Sequence, residues 1–288
     1  MNAILTATEG PRPVGTQAEL QFLVPQAEKP RTYTFDPPAG ERRSNARYAP
    51  HRVPIHDARR NAASFTLDCE GFAFVRHASA VRDFWDEDEV RRVYYSEAER
   101  LVGEATGADR VFVFDHTLRR RVPDADDRAQ GLPRQPATRV HVDQTLRSGP
   151  QRVRDLLPDE AETLLRGRVQ IINLWRPVVG PLWDSPLALC DARTVDAGDL
   201  VASDLVFPDR VGETYAVAFN PAQRWSYISG MTPGEALLIK CYDSADDGRA
   251  RFAPHTAFAD PDAPGDAPPR QSIELRTLVF HASPEGAA

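Results

Sequence analysis

From Val169 to the C-terminus the sequence keeps returning to one pattern, a short apolar run followed by a turn. The runs are "VQIINLWRP", "PLALCDART", "GDLVASDLVF", "ETYAVAFN", "RWSYIS", "EALLIKCYDS", "PHTAFAD" and "SIELRTLVFH". Turn-forming residues separate them, among them Asn220-Pro221, Thr232-Pro233-Gly234 and Asp246-Asp247-Gly248. Many short strands punctuated in this way close into a sandwich or a barrel. This series sets the fold class: mainly β with packed helices, in a double-stranded β-helix (jelly-roll, cupin-like) arrangement.

Upstream the pattern is mixed. "AELQFLV" (Ala18 to Val24) reads as a strand, and the Pro- and charge-rich stretch after it, through Pro50, as an arm over the surface. "SFTLDCEGFAFVRH" (Ser64 to His77) alternates apolar residues on both sides of Glu70-Gly71 and reads as a hairpin. "DEDEVRRVYYSEAERLVGEATGA" opens with acids that suit a helix N-terminus. It places Val90, Val93, Tyr94, Ala98, Leu101 and Val102 on one stripe and stops near Gly107. "RVFVFDH" (Arg110 to His116) is a strand. "TLRRRVPDADDRAQGLPRQPAT" then has no periodicity and reads as a mobile loop placed where a lid is useful. "GPQRVRDLLPDEAETLLRGR" is helical. The expected organisation is one domain over 1–288, with an arm, hairpin and helix over 1–108 packed on a jelly-roll core over 109–282.

Net charge is −7, and no basic stripe is present, which argues against nucleic acid and anionic membrane as partners. No run approaches the roughly 20 apolar residues of a membrane span, and "MNAILTATEGPRPVG" lacks the basic and apolar regions of a signal peptide. Cys69, Cys190 and Cys241 are far apart and odd in number, which suits a reduced, cytoplasmic protein. The expected partner is a small-molecule substrate, and the expected assembly a monomer or homodimer.

The chemistry centres on "ATRVHVDQTLRSG". Residues two apart on a strand point to one face, so His141 and Asp143 present an imidazole and a carboxylate together. His255, more than a hundred residues later in the apolar context of "FAPHTAF", offers a third ligand. Two His and one carboxylate on one side of a metal form the facial triad of non-heme Fe(II) oxygenases, leaving positions open for a cosubstrate and O₂. In a jelly-roll oxygenase the strand of the distal His lies near the final strand. In that final strand, "PPRQSIELRTLVF" supplies Arg270 and Ser272, an arginine able to pair with the far carboxylate of 2-oxoglutarate and a hydroxyl on the same face. Arg276 shares that parity, and spacing alone does not choose between the two arginines.

Lys240 is one of only two lysines and sits inside an apolar strand, where it can reach a carboxylate or simply be paired or snorkelling. Tyr242 shares its expected face. Arg147, Asn173, Trp175, Arg176, Trp225 and Tyr227 are candidate substrate contacts, although Trp and Tyr also serve as core. The other histidines have no comparable partner spacing.

"RVHVDQTLRSGPQRVRDLLPDEAETLLRGRVQIINLWRP", "PLALCDART", "EALLIKCYDS", "APHTAFADP" and "RQSIELRTLVF" resemble the AsaB-like hydroxylase/desaturase family, which also contains the cephamycin methoxylation protein. The resemblance covers nearly the whole chain, including "LVPQAEKPRTYTFDPP". It implies a double-stranded β-helix, Fe(II) and usually 2-oxoglutarate, and oxidative tailoring of natural products or amino-acid-derived molecules. By it the iron ligands fall on His141, Asp143 and His255, and cosubstrate binding on Arg270 and Ser272. The chain departs from the family at Gln223, Ser226 and Ser229, where His, Phe and Pro are usual, and at Gln144, where Tyr is common. Two rival readings remain at this stage: a non-heme Fe(II) oxidase that uses no 2-oxoglutarate, and a non-catalytic small-molecule-binding β-barrel.

Overall fold

Burial alternates along Gly15–Leu23 and is continuous along Val169–Pro177 and Glu235–Asp243, and that difference sets the layers of the fold. The structure, a computed structural model, describes residues 15–125 and 133–282. Its smaller sheet runs, in spatial order, β4 (Phe72–Arg76), β12 (Glu235–Asp243), β7 (Val169–Pro177), β14 (Gln271–Phe280) and β5 (Arg110–Arg120). The residues of β7 and β12 are buried throughout, as expected for central strands covered on both faces.

The larger sheet runs β1 (Gly15–Leu23), β3 (Tyr48–Asp57), β11 (Trp225–Tyr227), β8 (Leu187–Cys190), β13 (His255–Ala257), β6 (His141–Val142), β10 (Val211–Val217), β9 (Leu200–Val206) and β2 (Arg31–Tyr33). Most pairings are antiparallel; β11 with β3 and β2 with β9 are parallel. Two such sheets facing each other form the jelly roll.

Three apolar clusters hold these layers. Val142, Leu187 and Leu189 from one sheet meet Ile171, Trp175, Ile239 and Leu278 from the other in the space between them. On the outer face of the smaller sheet, Ile172, Leu174, Leu238 and Val279 pack against Val90, Tyr94, Ala98 and Val102. These last four lie on the expected helix, which runs as α1 (Glu87–Glu89), a π-helical turn (Val90–Tyr94) and α2 (Tyr95–Thr106). Asp86 caps its N-terminus by accepting from the backbone N–H of Asp88 and Glu89, and left-handed Gly107 ends it. A third cluster joins β1 and β3 to the outer face of the larger sheet.

The N-terminal expectations change in three places. Residues 64–77 form no hairpin, because only Phe72–Arg76 is a strand and it pairs with β12. The turn before it closes on itself: the Glu70 carboxylate accepts the Thr66 N–H, and Gly71 takes a φ of 86°. The supposed arm contains the short strand β2 and the first three residues of β3, a ten-residue strand paired along its length with β1, despite Pro50 and Pro54. Both prolines stand opposite polar residues (Gln21 and Gln17), and only Val53 and Ile55 carry an apolar alternation. The expected loop after His116 begins as strand, since β5 continues to Arg120; residues 126–132 of that loop, and the opening residues read for a signal peptide, lie outside the described residues. No helix among the described residues is long and apolar enough to cross a membrane.

The helix that follows the His-x-Asp strand, α3 (Ser148–Leu156), comes very close to the core. A Cβ placed on Gly149 would lie 2.6 Å from the ring of Tyr242. Gly149→Ala is therefore expected to lower stability by about 1–3 kcal/mol through overpacking. Urea denaturation checks this, and an unchanged midpoint would contradict the close packing.

Candidate metal centre and cavity

His141 and His255 are neighbours across the β6–β13 pair, directly opposite in register. Their ring centroids are 4.5 Å apart. One ligand atom from each of His141, Asp143 and His255 lies within 4.8 Å of the others, so this group can hold a metal ion. Residues brought together from distant parts of the sequence thus converge through strand pairing alone.

The remaining atoms of these side chains are already engaged, and in a consistent sense. His141 Nδ1 lies 2.8 Å from the Arg139 carbonyl and His255 Nδ1 lies 3.0 Å from the Ala253 carbonyl. A carbonyl only accepts, so each Nδ1 carries the proton and each Nε2 presents a lone pair. His255 Nε2 is buried and has no hydrogen-bond partner. A buried nitrogen lone pair without a donor is unusual in a folded protein, and a metal ion would satisfy it. The Asp143 carboxylate is held at Oδ2 by Asn173 Nδ2 at 2.8 Å and by Arg276 Nε at 3.0 Å. Its Oδ1 faces His141 Nε2 at 3.4 Å.

The charges of Asp143 and His255 agree with this picture, whereas at His141 the carboxylate competes by favouring a proton. Burial works against a charged Asp143, but the nearby Arg276 and the two imidazoles hold its carboxyl well below the usual range. Burial would lower His141, yet the Asp143 carboxylate keeps it above its ordinary value. Burial and the neighbouring His141 lower His255, which keeps it neutral.

Arg270 and Arg276 share a strand face but stand in different surroundings. Arg276 is saturated with carboxylates: besides Asp143, it donates to Glu274, Asp115 and the Thr117 hydroxyl. Arg270, 2% exposed, donates from Nε to Ser272 Oγ and from Nη1 to the Ser185 carbonyl, and lies over the Trp175 ring at 4.9 Å. Among the described residues no carboxylate hydrogen-bonds to its guanidinium. Burial, with Arg119 nearby, pushes its pKa down to about 9. Glu274 and Asp184 lie nearby without hydrogen-bonding to the guanidinium, and a buried cation in this setting favours an incoming anion.

A cavity of about 930 Å³ opens beside Asp143 and Arg276. Phe114, Thr117, Gln144, Arg147, Arg152 and Glu213 are among its walls, whereas Arg270 and Trp175 are not.

The comparisons with known proteins agree with the site. A family model described as "Oxidoreductase/YMDC permease-like domain" matches residues 20–280. Hydroxylase/desaturase efuI of Hormonema carpetanum is 38% identical over 254 residues, covering 81% of this chain and 85% of that protein. Fe(II)/2-oxoglutarate-dependent dioxygenase nvfI of Aspergillus novofumigatus is 33% identical over 273 residues, covering 92% and 96%. The chain belongs to the hydroxylase/desaturase family. Among solved structures, the iron and alpha-ketoglutarate-dependent endoperoxidase NvfI matches with a TM-score of 0.85 at 32% identity, over 94% of this chain and 99% of that one. The jelly-roll architecture and the status of this family member as an oxidoreductase follow.

Several residues expected at the site are elsewhere. Lys240 is fully buried and pairs with Asp68 and Asp243, each at 2.8 Å. A bulge between Lys240 and Tyr242 is the reason their shared face was misjudged: Lys240 stands opposite Ile172 and Tyr242 opposite Ile171. Tyr242 packs in the central core against Gly149 and Phe252. Arg176 donates to the His77 and Pro233 carbonyls and lies over Tyr94, tying the helix to the sheet. Trp225 and Tyr227 belong to the outer core, against Phe22 and Phe258. Trp175 is a platform for Arg270, and Asn173 holds Asp143 and is absent from the cavity wall. Of the substrate candidates only Arg147 reaches the cavity, where it pairs with Glu213. Among the four departures from the family pattern, Gln144 alone lines it.

The pairing of Lys240 also sets a stability expectation. Lys240→Met leaves Asp243, fully buried, with one cation fewer, and is expected to cost about 3 kcal/mol. Thermal and urea unfolding measure this. A stability equal to that of the parent would show that Arg168 alone suffices for Asp243.

Proposed function

We propose that this chain is an Fe(II)/2-oxoglutarate-dependent oxygenase that hydroxylates, desaturates or oxidatively cyclises a small natural-product or amino-acid-derived molecule. In this reading His141, Asp143 and His255 hold Fe(II), and Arg270 with Ser272 binds the far carboxylate of 2-oxoglutarate. The observation that carries it is the buried, unpartnered Nε2 of His255 beside Asp143 and His141. The anion-deficient setting of Arg270 favours 2-oxoglutarate use over an oxidase without it. A bound Fe(II), with 2-oxoglutarate and O₂, supplies the oxidising power for an unactivated C–H bond.

The protein's own contribution is positioning. The Arg139 and Ala253 carbonyls fix the tautomer and ring orientation of both histidines, so that Nε2 is the ligating atom in each. Arg276 and Asn173 occupy Oδ2 of Asp143 and leave Oδ1 to the metal. Ser272 and the Ser185 carbonyl lock the Arg270 fork, with Trp175 beneath it, so that little side-chain freedom is lost when a carboxylate binds. The walls beside Asp143 hold the substrate. Three unbridged cysteines accord with a cytoplasmic setting, and the proposed assembly is a monomer or homodimer without nucleic-acid or membrane partners.

Anaerobic addition of Fe(II) and then 2-oxoglutarate is expected to give a weak visible absorption band that His255→Ala abolishes. Failure of the parent protein to retain iron would refute the metal assignment. Succinate formed in step with product separates this enzyme from an oxidase that consumes no 2-oxoglutarate.

The two arginines are expected to behave differently. Arg270→Gln should weaken 2-oxoglutarate binding by one to two orders of magnitude, roughly the loss of a charge-assisted hydrogen-bonded partner, with iron affinity unchanged. Arg276→Gln should weaken iron binding about tenfold or more, through its hold on Asp143. The opposite pattern in the two titrations would reverse the assignment.

A further inference from the structure

The cavity beside Asp143 is lined by both signs of charge, but its ledger of partners is uneven. Each wall carboxylate is engaged. Asp143 and Asp115 pair with Arg276, Asp155 accepts from Gln151 Nε2 at 2.7 Å, and Glu213 is held by Lys29, Thr145 and Arg147. Glu213 is held so firmly that its pKa falls to about 2: burial opposes this, and the hydrogen bonds from Lys29, Thr145 and Arg147 outweigh it.

Two wall arginines lack such partners among the described residues. Arg152, on α3, makes no side-chain hydrogen bond or ion pair; its Nε is buried and unpartnered. Its guanidinium lies 5.8 Å from the Phe114 ring centroid. Arg210, exposed in the turn between β9 and β10, stacks on Phe207 at 4.0 Å and likewise meets no carboxylate. Burial and the charge of Arg210 lower the pKa of Arg152 and outweigh the opposing pull of Asp155 and Asp115, neither of which hydrogen-bonds to it, so the two cations act on one another across the cavity wall. Each guanidinium is oriented by an aromatic face rather than by an anion, which leaves its N–H edge free. Phe114, Phe207, Leu156, Leu205 and Val211 supply apolar wall around them.

We propose that Arg152 and Arg210 bind a carboxylate on the primary substrate, which is therefore an organic acid with an apolar body rather than a neutral molecule. This rests on the cavity being the substrate site of the oxygenase reading above. It assigns the two arginines a place apart from Arg270, which lies off this cavity and would serve the cosubstrate. The substrate acid anchors at α3 and the β9–β10 turn, while its apolar body extends toward Asp143.

The test uses the full chain, reconstituted anaerobically with Fe(II) and 2-oxoglutarate, and three probes: benzoate, phenylacetate and naphthylacetate, each against its own amide. Calorimetric affinities are measured for the parent, Arg152→Gln, Arg210→Gln and the double variant. At least one acid is expected to bind ten times more tightly than its amide. Each single substitution should cut that preference several-fold, and the double variant should lose it, with amide affinity and the 2-oxoglutarate titration unchanged. If no acid binds better than its amide, or if the preference survives in the double variant, the proposal falls. Loss of 2-oxoglutarate binding in the double variant would overturn it too, by giving these arginines to the cosubstrate. The iron and 2-oxoglutarate titration of the parent is read separately. Its failure would count against the oxygenase reading whatever the acids do.

Discussion

The grip of the smaller sheet on Asp143 is the constraint around which the site is organised. Asp143 follows the short strand β6 of the larger sheet, but its Oδ2 is held by Asn173 and Arg276, which stand opposite one another on β7 and β14. The carboxylate therefore ties the two sheets together across the interior. On its own sheet, His141 and His255 are fixed by the single register that places β6 beside β13. A one-residue slip in either pairing would turn the ligating side chains to the opposite face. The geometry of the candidate centre is thus a consequence of strand register, and the burial of β7 and β12 throughout, and of most of β14, holds the facing sheet in place.

The same interior shows how charge is distributed. Its carboxylates are paired, often several times over, as Asp243 is with Lys240 and Arg168. Its arginines fall into two groups. Arg276 and Arg176 are spent on the protein itself, on carboxylates and on carbonyls. Arg270 and Arg152, with exposed Arg210 at the edge of the cavity, lie beside aromatic rings, and among the described residues no carboxylate hydrogen-bonds to their guanidinium groups. Stacking holds a guanidinium in place without neutralising it, which leaves a prepared cation for an incoming anion. This distinction separates arginines that build the fold from arginines available to ligands, and both kinds occur close together, with Arg270 just before β14 and Arg276 within it.

Much of the fold was legible along the chain because its β-strands follow local rules. The eight apolar runs after Val169 all contain strand, and the stripe from Val90 to Val102 packs as one helix face. What was illegible depended on partners distant in sequence. β3 has only a short alternation of its own, at Val53 and Ile55, and is completed by β1 and β11 pairing on either side of it. The hairpin expected around Gly71 had a suitable pattern but found β12 a better partner than its own preceding residues. Lys240 and Tyr242 looked alike by parity until a bulge, invisible in the sequence, broke the alternation.

By itself the sequence determined the class of fold and the pairing of an imidazole with a carboxylate two residues on, since both follow from the two-residue period of extended chain, although Asp143 lies just past the end of β6. It also marked His255 as the third candidate and narrowed the cosubstrate arginine to two positions. Only the tertiary structure brought His255 opposite His141, gave Arg276 to Asp143 and left Arg270 without an anion. The physical reason is that parity says which face a side chain takes, whereas hydrogen bonding and charge depend on what the opposite sheet puts in front of it.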